Sequence, residues 1–200
     1  MASKQLGRKY VKEHYSREEV ESLIDAIKGD SATAKRNRAL IATLWQSGLR
    51  INEALMMAPH DFSGDEIHVR FGKAGKKGGP KERRVRAGPV AVQYVTAWKA
   101  ARNDLDLPPG APLFCTLKGT KMHHSYVQGM LNTAAQRAGW TKRIHAHGFR
   151  HTFAVTLAKS GIPMAMLQRQ LGHRYLSTTG IYLESITTED MAEAMQKVEW

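Results

Sequence analysis

Cysteine is nearly missing: Cys115 is the only one in 200 residues. A lone thiol closes no intrachain disulfide and builds no Cys-type zinc finger. No apolar run approaches the roughly eighteen residues of a membrane helix. The start carries no signal-peptide pattern. A soluble, cytoplasmic protein is expected. Acidic residues are also scarce, 18 Asp and Glu against 30 Lys and Arg, a formal charge of +12. Such an imbalance implies a polyanionic partner, nucleic acid before others. Apolar residues make up 42% of the chain, enough for a packed core. The length suits one domain, or one domain with a small appendage.

The first fifteen residues are basic and polar and are expected as an extension, residues 1–15, before a domain over 16–200. Ser16 and Glu19 form a capping box. Val20, Leu23, Ile24 and Ile27 follow at helical spacing, to Gly29. A second helix is predicted from about Ala34 to Ser47, stopped by Gly48. A third begins near Arg50 and is closed by Pro59. Ile67, Val69 and Phe71 alternate with polar neighbours, as in a strand. A basic, glycine-rich stretch from Gly72 to Pro80 follows, and Arg83 to Arg86 reads as the returning strand. Further helices are predicted over Val90–Arg102, Tyr126–Ala138, His147–Lys159 and Pro163–Leu171. A last one spans about 188–198. The class is mainly α with a small antiparallel β-sheet (α+β).

The stretch from His147 to Tyr182 carries the densest chemistry. His147, Arg150, His151 and Ala154 share one helical face at i, i+3, i+4 and i+7, with Phe149, Phe153 and Thr156 pointing away. An arginine can hold a phosphate, histidines can move protons, and a tyrosine hydroxyl can attack. On these residues alone, a solvated polar face is an alternative. So is a metal site of His145, His147 and His151, with His123 and His124 upstream. No acidic residue or cysteine completes that set, and Arg150 would put a cation among the ligands. No metal and no cofactor are expected.

His147-Gly-Phe-Arg150-His-Thr-Phe-Ala resembles the H-x-x-R box of the tyrosine recombinase, or phage integrase, family. Leu171-Gly-His173 resembles its L-G-H box, and Tyr182 follows nine residues later, where that family has its nucleophile. Gly48-Leu-Arg50-Ile-Asn-Glu53-Ala-Leu resembles the G-L-R-x-x-E-L box. Lys73 in Phe71-Gly-Lys73 matches the family's hairpin lysine. The likeness covers about residues 16–198, with six positions in order.

That resemblance implies a tyrosine recombinase catalytic-domain-like fold and a site-specific DNA recombinase. Arg50 and Arg150 would clamp the scissile phosphate. Tyr182 would attack it to form a 3′-phosphotyrosine, with strand exchange and religation needing neither metal nor ATP. His147 would be the base, His173 a support for phosphate or tyrosine, and Lys73 the acid for the leaving 5′-oxygen. His151 would support its neighbours. Glu53 would orient its helix or Arg50. Lys76, Lys77, Lys81, Arg83, Arg84, Lys142 and Arg143 are expected against the DNA backbone. The partners implied are double-stranded DNA and three further copies, docked through the C-terminal stripe of Met191, Met195 and Val198. That stripe equally suits packing on its own domain. No membrane is expected. The family's usual N-terminal DNA-clamping domain is not seen, which leaves either a catalytic domain taken from a longer protein or a minimal recombinase. Alternatives are a type IB topoisomerase-like enzyme, a non-catalytic DNA-binding protein of the same fold, and a histidine-bound metalloprotein.

Overall fold

A computed structural model describes residues 14–70, 82–173, 175–180, 182 and 186–196. Helix α1 (Arg17–Asp25) starts on the reciprocal box: the Ser16 amide donates to Glu19 Oε2 at 2.7 Å, and the Glu19 amide donates to Ser16 Oγ at 3.2 Å. Its Val20, Leu23 and Ile24 are buried. Helix α2 (Ala32–Ser47) runs through the centre, and most of its residues from Ala39 to Ser47 are buried. It packs chiefly on α4 (Pro89–Asn103) and α6 (Ala146–Lys159), so it cannot be amphipathic in the usual one-sided way. Gly48 ends it at φ +65°. A Cβ there would sit 2.5 Å from the Phe153 ring, so a glycine is required on two counts.

Short α3 (Ile51–Leu55) follows, then a 3₁₀ turn (Pro59–Asp61) and a sheet of three antiparallel strands. These are β1 (Phe62–Ser63), β2 (Glu66–Val69) and β3 (Arg83–Arg86), in that order. Ile67 faces Phe62 on one side and Val85 on the other, which fixes the register through the buried face. Helices α5 (His124–Arg137), α7 (Met164–Leu171), α8 (Leu176–Gly180) and α9 (Thr188–Gln196) complete the described chain.

Two cores result. The larger joins α1, α2, α4, α5 and the sheet, with Phe149 at the start of α6. The smaller lies between α6 and α7 and contains Ala154, Val155, Ala158, Leu167, Leu171 and Tyr182.

Several sequence expectations need correction. The extension ends before Tyr15, which is 1% exposed and belongs to the large core. Its hydroxyl accepts the His145 amide at 3.0 Å and donates to the His145 carbonyl at 3.3 Å. Helix α6 starts at Ala146 because His145 caps it, Nδ1 accepting the Gly148 amide at 2.9 Å. Helix α5 starts two residues before the expected Tyr126. β1 and α8 were not expected. Two residues carry no period, and Leu-Ser-Thr-Thr-Gly has poor helix propensity, so packing decides both. The α6 faces also differ. Arg150 is 2% exposed, whereas Thr156 is exposed and Phe153 only partly buried.

Candidate active site

The αL turn at Gly48 delivers Arg50 to the N-cap of α3. One turn later Glu53 folds back: its Oε2 accepts the Arg50 amide at 2.9 Å and its Oε1 accepts Arg50 Nη1 at 2.9 Å. Glu53 therefore orients both the helix start and the guanidinium. The Glu53 side chain is 3% exposed and that of Arg50 34%. Arg83, from β3, donates to both oxygens of the same carboxylate, at 3.0 and 2.9 Å. Burial pushes the Glu53 carboxyl up. The hydrogen bonds and charge of Arg83, with those of Arg50, outweigh this and hold it below the ordinary range.

Arg150 reaches the same region from α6. Its Nη1 donates to the Gly48 carbonyl and its Nη2 to the Leu171 carbonyl at 2.7 Å, so it ties the ends of α2 and α7 together. Burial first, then the nearby Arg50 charge, lowers its pKa to about 10, which leaves it cationic at neutral pH. Among the described residues no carboxylate is hydrogen-bonded to it. Two of its five N–H groups are spent on carbonyls.

Gly172, in the left-handed region at φ +67°, turns the chain out of α7 to His173. The His173 Nδ1 lies 3.0 Å from Thr179 Oγ1 on α8. Burial, reinforced by Arg150, Arg50, Arg83 and His147, lowers its pKa to about 4. It is neutral at pH 7. Tyr182 is 6% exposed, its ring centroid 5.2 Å from that of His151 and 6.3 Å from that of His173, nearly parallel to the latter. Burial raises the phenol pKa, against the pull of Arg150 and Arg50. His147 is exposed at the first turn of α6.

Five of the six expected positions thus lie in one neighbourhood. Arg50, Arg150, His147 and His173 are electrostatically coupled, and Tyr182 feels both arginines. The sixth, Lys73, lies outside the described residues, as do Lys76, Lys77, Lys81 and Val198. Of the cations expected on DNA, Arg143 is exposed. Arg84 is exposed and paired with Glu66 at 2.5 Å. Lys142 is paired with Glu19 at 2.5 Å and lies 5.5 Å from the Tyr15 and Trp140 rings. Arg83 departs most from expectation: its side chain is 14% exposed and turned inward to Glu53. The Arg-x-Arg alternation of β3 carried that signal, since Arg83 shares the inward face of Val85. No three His, Cys, Asp or Glu side chains among the described residues converge as a metal-binding group. No helix among those residues is long and apolar enough to cross a membrane.

Residues 14–189 match the family model described as the phage integrase family. Tyrosine recombinase XerC of Leptospira interrogans is 33% identical over 95% of this chain and 60% of that protein. XerC of Halalkalibacterium halodurans is 36% identical over 82% of this chain and 55% of that protein. The chain spans little more than half the length of these relatives. Among solved structures, XerH recombinase bound to palindromic difH substrate, a post-cleavage complex, superposes with TM-score 0.75 at 25% identity, over 97% of this chain and 55% of that one. The catalytic domain of bacteriophage HP1 integrase shares the fold at TM-score 0.57, over 92% of this chain and 94% of that one.

Proposed function

Because the chain belongs to the phage integrase family, we propose that it cuts and rejoins double-stranded DNA at specific sites. One observation carries the reading. Arg50 from α3, Arg150 from α6, His173 beyond α7 and Tyr182 beyond α8 converge, far apart in sequence, with both arginine charges acting on the phenol. A phosphodiester undergoing attack gathers negative charge on its non-bridging oxygens. Two preorganised guanidiniums stabilise that charge.

Tyr182 Oη attacks the scissile phosphorus. The bond to the 5′-oxygen breaks, leaving a 3′-phosphotyrosine and a 5′-hydroxyl. His147 takes the phenolic proton, and Lys73 gives one to the departing oxygen. Neutral His173, held by Thr179, donates from its other ring nitrogen to the phosphate or the tyrosine. A 5′-hydroxyl of the partner strand then attacks the phosphotyrosine; the bond to Tyr182 Oη breaks, the phenol regains its proton, and the diester is restored. The ester bond energy is kept, so no ATP enters. Arg143, Lys76, Lys77 and Lys81 contact the backbone. The enzyme works in whichever compartment holds its DNA.

Four copies act together on two duplexes, joined by α9. Its Met191 and Met195 are each more than half exposed. A groove of about 700 Å³, lined by Trp45, Phe153, Leu157, Ile162, Met166 and Leu167, offers an apolar seat of matching character for the neighbour's helix.

The test uses nicked duplexes carrying sites that this chain selects from a randomised pool, incubated in chelator. A covalent protein–DNA adduct, lost in Tyr182→Phe, is expected. Binding without an adduct leaves a DNA-binding protein. Adduct and supercoil relaxation without strand exchange leaves a topoisomerase-like enzyme. Loss of cleavage in chelator overturns the mechanism.

A further inference from the structure

We infer that Arg83 is a positioning residue for the cleavage step rather than a DNA contact. Its task is to occupy Glu53 so that Arg50 stays available to phosphate. This rests on the recombinase reading above.

Glu53 is a buried carboxylate with four donors around it: the Arg50 amide, Arg50 Nη1, and Nη1 and Nη2 of Arg83. The two arginines are not held alike. Arg83 takes the carboxylate bidentately, both Nη groups on both oxygens. Arg50 gives it a single side-chain bond and keeps a third of its surface exposed. Two cations share one anion, so a net positive charge remains at the pair. Without Arg83, Glu53 would have one guanidinium left to satisfy it. A buried carboxylate with one cation in reach draws that cation into the two-bond geometry it prefers. Arg50 would then be turned toward Glu53 and its charge cancelled, in the place where a scissile phosphate needs it.

The seat of Arg83 is built for this. Its Nε lies 3.5 Å from the Gln170 carbonyl on α7. A Cβ on Gly172 would come within 2.7 Å of that Nε, so the glycine before His173 leaves room for the guanidinium. Gln170 in turn clasps β3, its amide donating to the Arg86 carbonyl at 2.7 Å and to the Ser47 carbonyl at 3.1 Å while its oxygen accepts the Arg86 amide at 3.1 Å. Arg83 therefore touches α3 and α7, the two elements that present Arg50 and His173.

The experiment compares wild type, Arg83→Met, Arg83→Lys and the pair Glu53→Gln/Arg83→Met on the selected nicked duplex. Two quantities are read: the adduct-forming rate at saturating DNA, and the slope of log affinity against log salt. Arg83→Met is expected to slow the adduct step by about tenfold to a hundredfold with the salt slope unchanged. Arg83→Lys recovers part of the rate. The double variant is faster than Arg83→Met alone, because the neutral amide that replaces the carboxylate no longer captures Arg50. A slope shallower by about 0.9 with the saturated rate unchanged would make Arg83 an ordinary phosphate contact. A double variant slower than the single one would leave Arg83 a structural brace only, and either result overturns the proposal. Should Arg83→Met fail to fold, Arg83→Lys decides it: a saturated rate below wild type with the salt slope unchanged is expected, and a wild-type rate overturns the proposal. Wild type without an adduct would overturn the recombinase reading itself, a result distinct from both.

Discussion

Arg50 from α3 and Arg150 from α6 form two sides of one charged neighbourhood and are held by opposite means. Arg50 leans on a carboxylate that a second arginine already occupies. Arg150 leans on two carbonyls, which take hydrogen bonds without cancelling charge. The first side belongs to the large core and the sheet. The second borders the small core of α6 and α7, where Tyr182 is seated. Burial first, and then the positive charge gathered around it, keeps His173 neutral down to about pH 4. A phosphate bound beside these arginines would meet fixed cations and lose little to reorganisation. In the proposed mechanism this placement makes Arg150 a strut as well as a clamp, and leaves Arg50 a clamp alone.

Breaking each clamp separates those duties. Arg150→Lys should lower cleavage by about a hundredfold or more. It should also destabilise the fold by about 1–3 kcal/mol, because the Gly48 and Leu171 carbonyls lose their donors. Arg50→Lys should cost a similar factor in cleavage while thermal melting changes little. Equal Tm losses in the two variants would erase the distinction.

The hinge between the sides comes next. Gly48→Ala puts a Cβ at φ +65° and 2.5 Å from the Phe153 ring. A loss of about 1–3 kcal/mol is expected from backbone strain alone, read by denaturant unfolding. Adduct formation should fall with it, since Gly48 sets where Arg50 emerges and supplies the Arg150 acceptor. An unchanged midpoint would mean that α2 and α6 separate more easily than their packing implies.

These arrangements were unevenly legible in the chain. Capping box, helix periods and turn glycines are local, and they gave most helices to within two residues. The recombinase boxes picked out Arg50, Arg150, His173 and Tyr182, which the fold brings near one another. What stayed hidden depends on distant partners. Tyr15 looked like part of a basic tail, yet its backbone amide binds Thr152 at 2.8 Å and its ring excludes any side chain at Gly148. Arg150 shares a helical phase with His147 and His151, which says nothing of two carbonyls arriving from α2 and α7. Arg83 sits among basic neighbours; the β3 alternation turns it inward with Val85, but only the fold brings the buried Glu53 to it.

Acid should weaken the second side by a smaller amount. The His173 pKa falls from 6.5 to about 4 in the fold. The unfolded chain therefore binds its proton first as pH drops. Stability from this group is full above about pH 6.5 and is lost between there and about pH 4. Melting curves across that window should show a decline that His173→Gln reduces. A wild-type Tm that is flat from pH 7 to pH 4 would contradict the buried, cation-ringed setting.

The smallest contrast lies outside the candidate site, between two adjacent cations. Lys142 is already paired with Glu19 and lies near the Tyr15 and Trp140 rings, whereas Arg143 is exposed. A charge engaged within the fold gains little from DNA, because forming the new contact means giving up the old one. Arg143→Ala should reduce the salt slope of DNA binding by about 0.9, and Lys142→Ala should leave it nearly unchanged. Lys142→Ala should instead cost at most about 1 kcal/mol of stability, the usual worth of a partly exposed ion pair. A reversed order of slopes would show that DNA takes Lys142 from Glu19. The rule that separates the two arginines of the site, in which a carboxylate partner decides whether a cation is open to phosphate, would then fail at the surface.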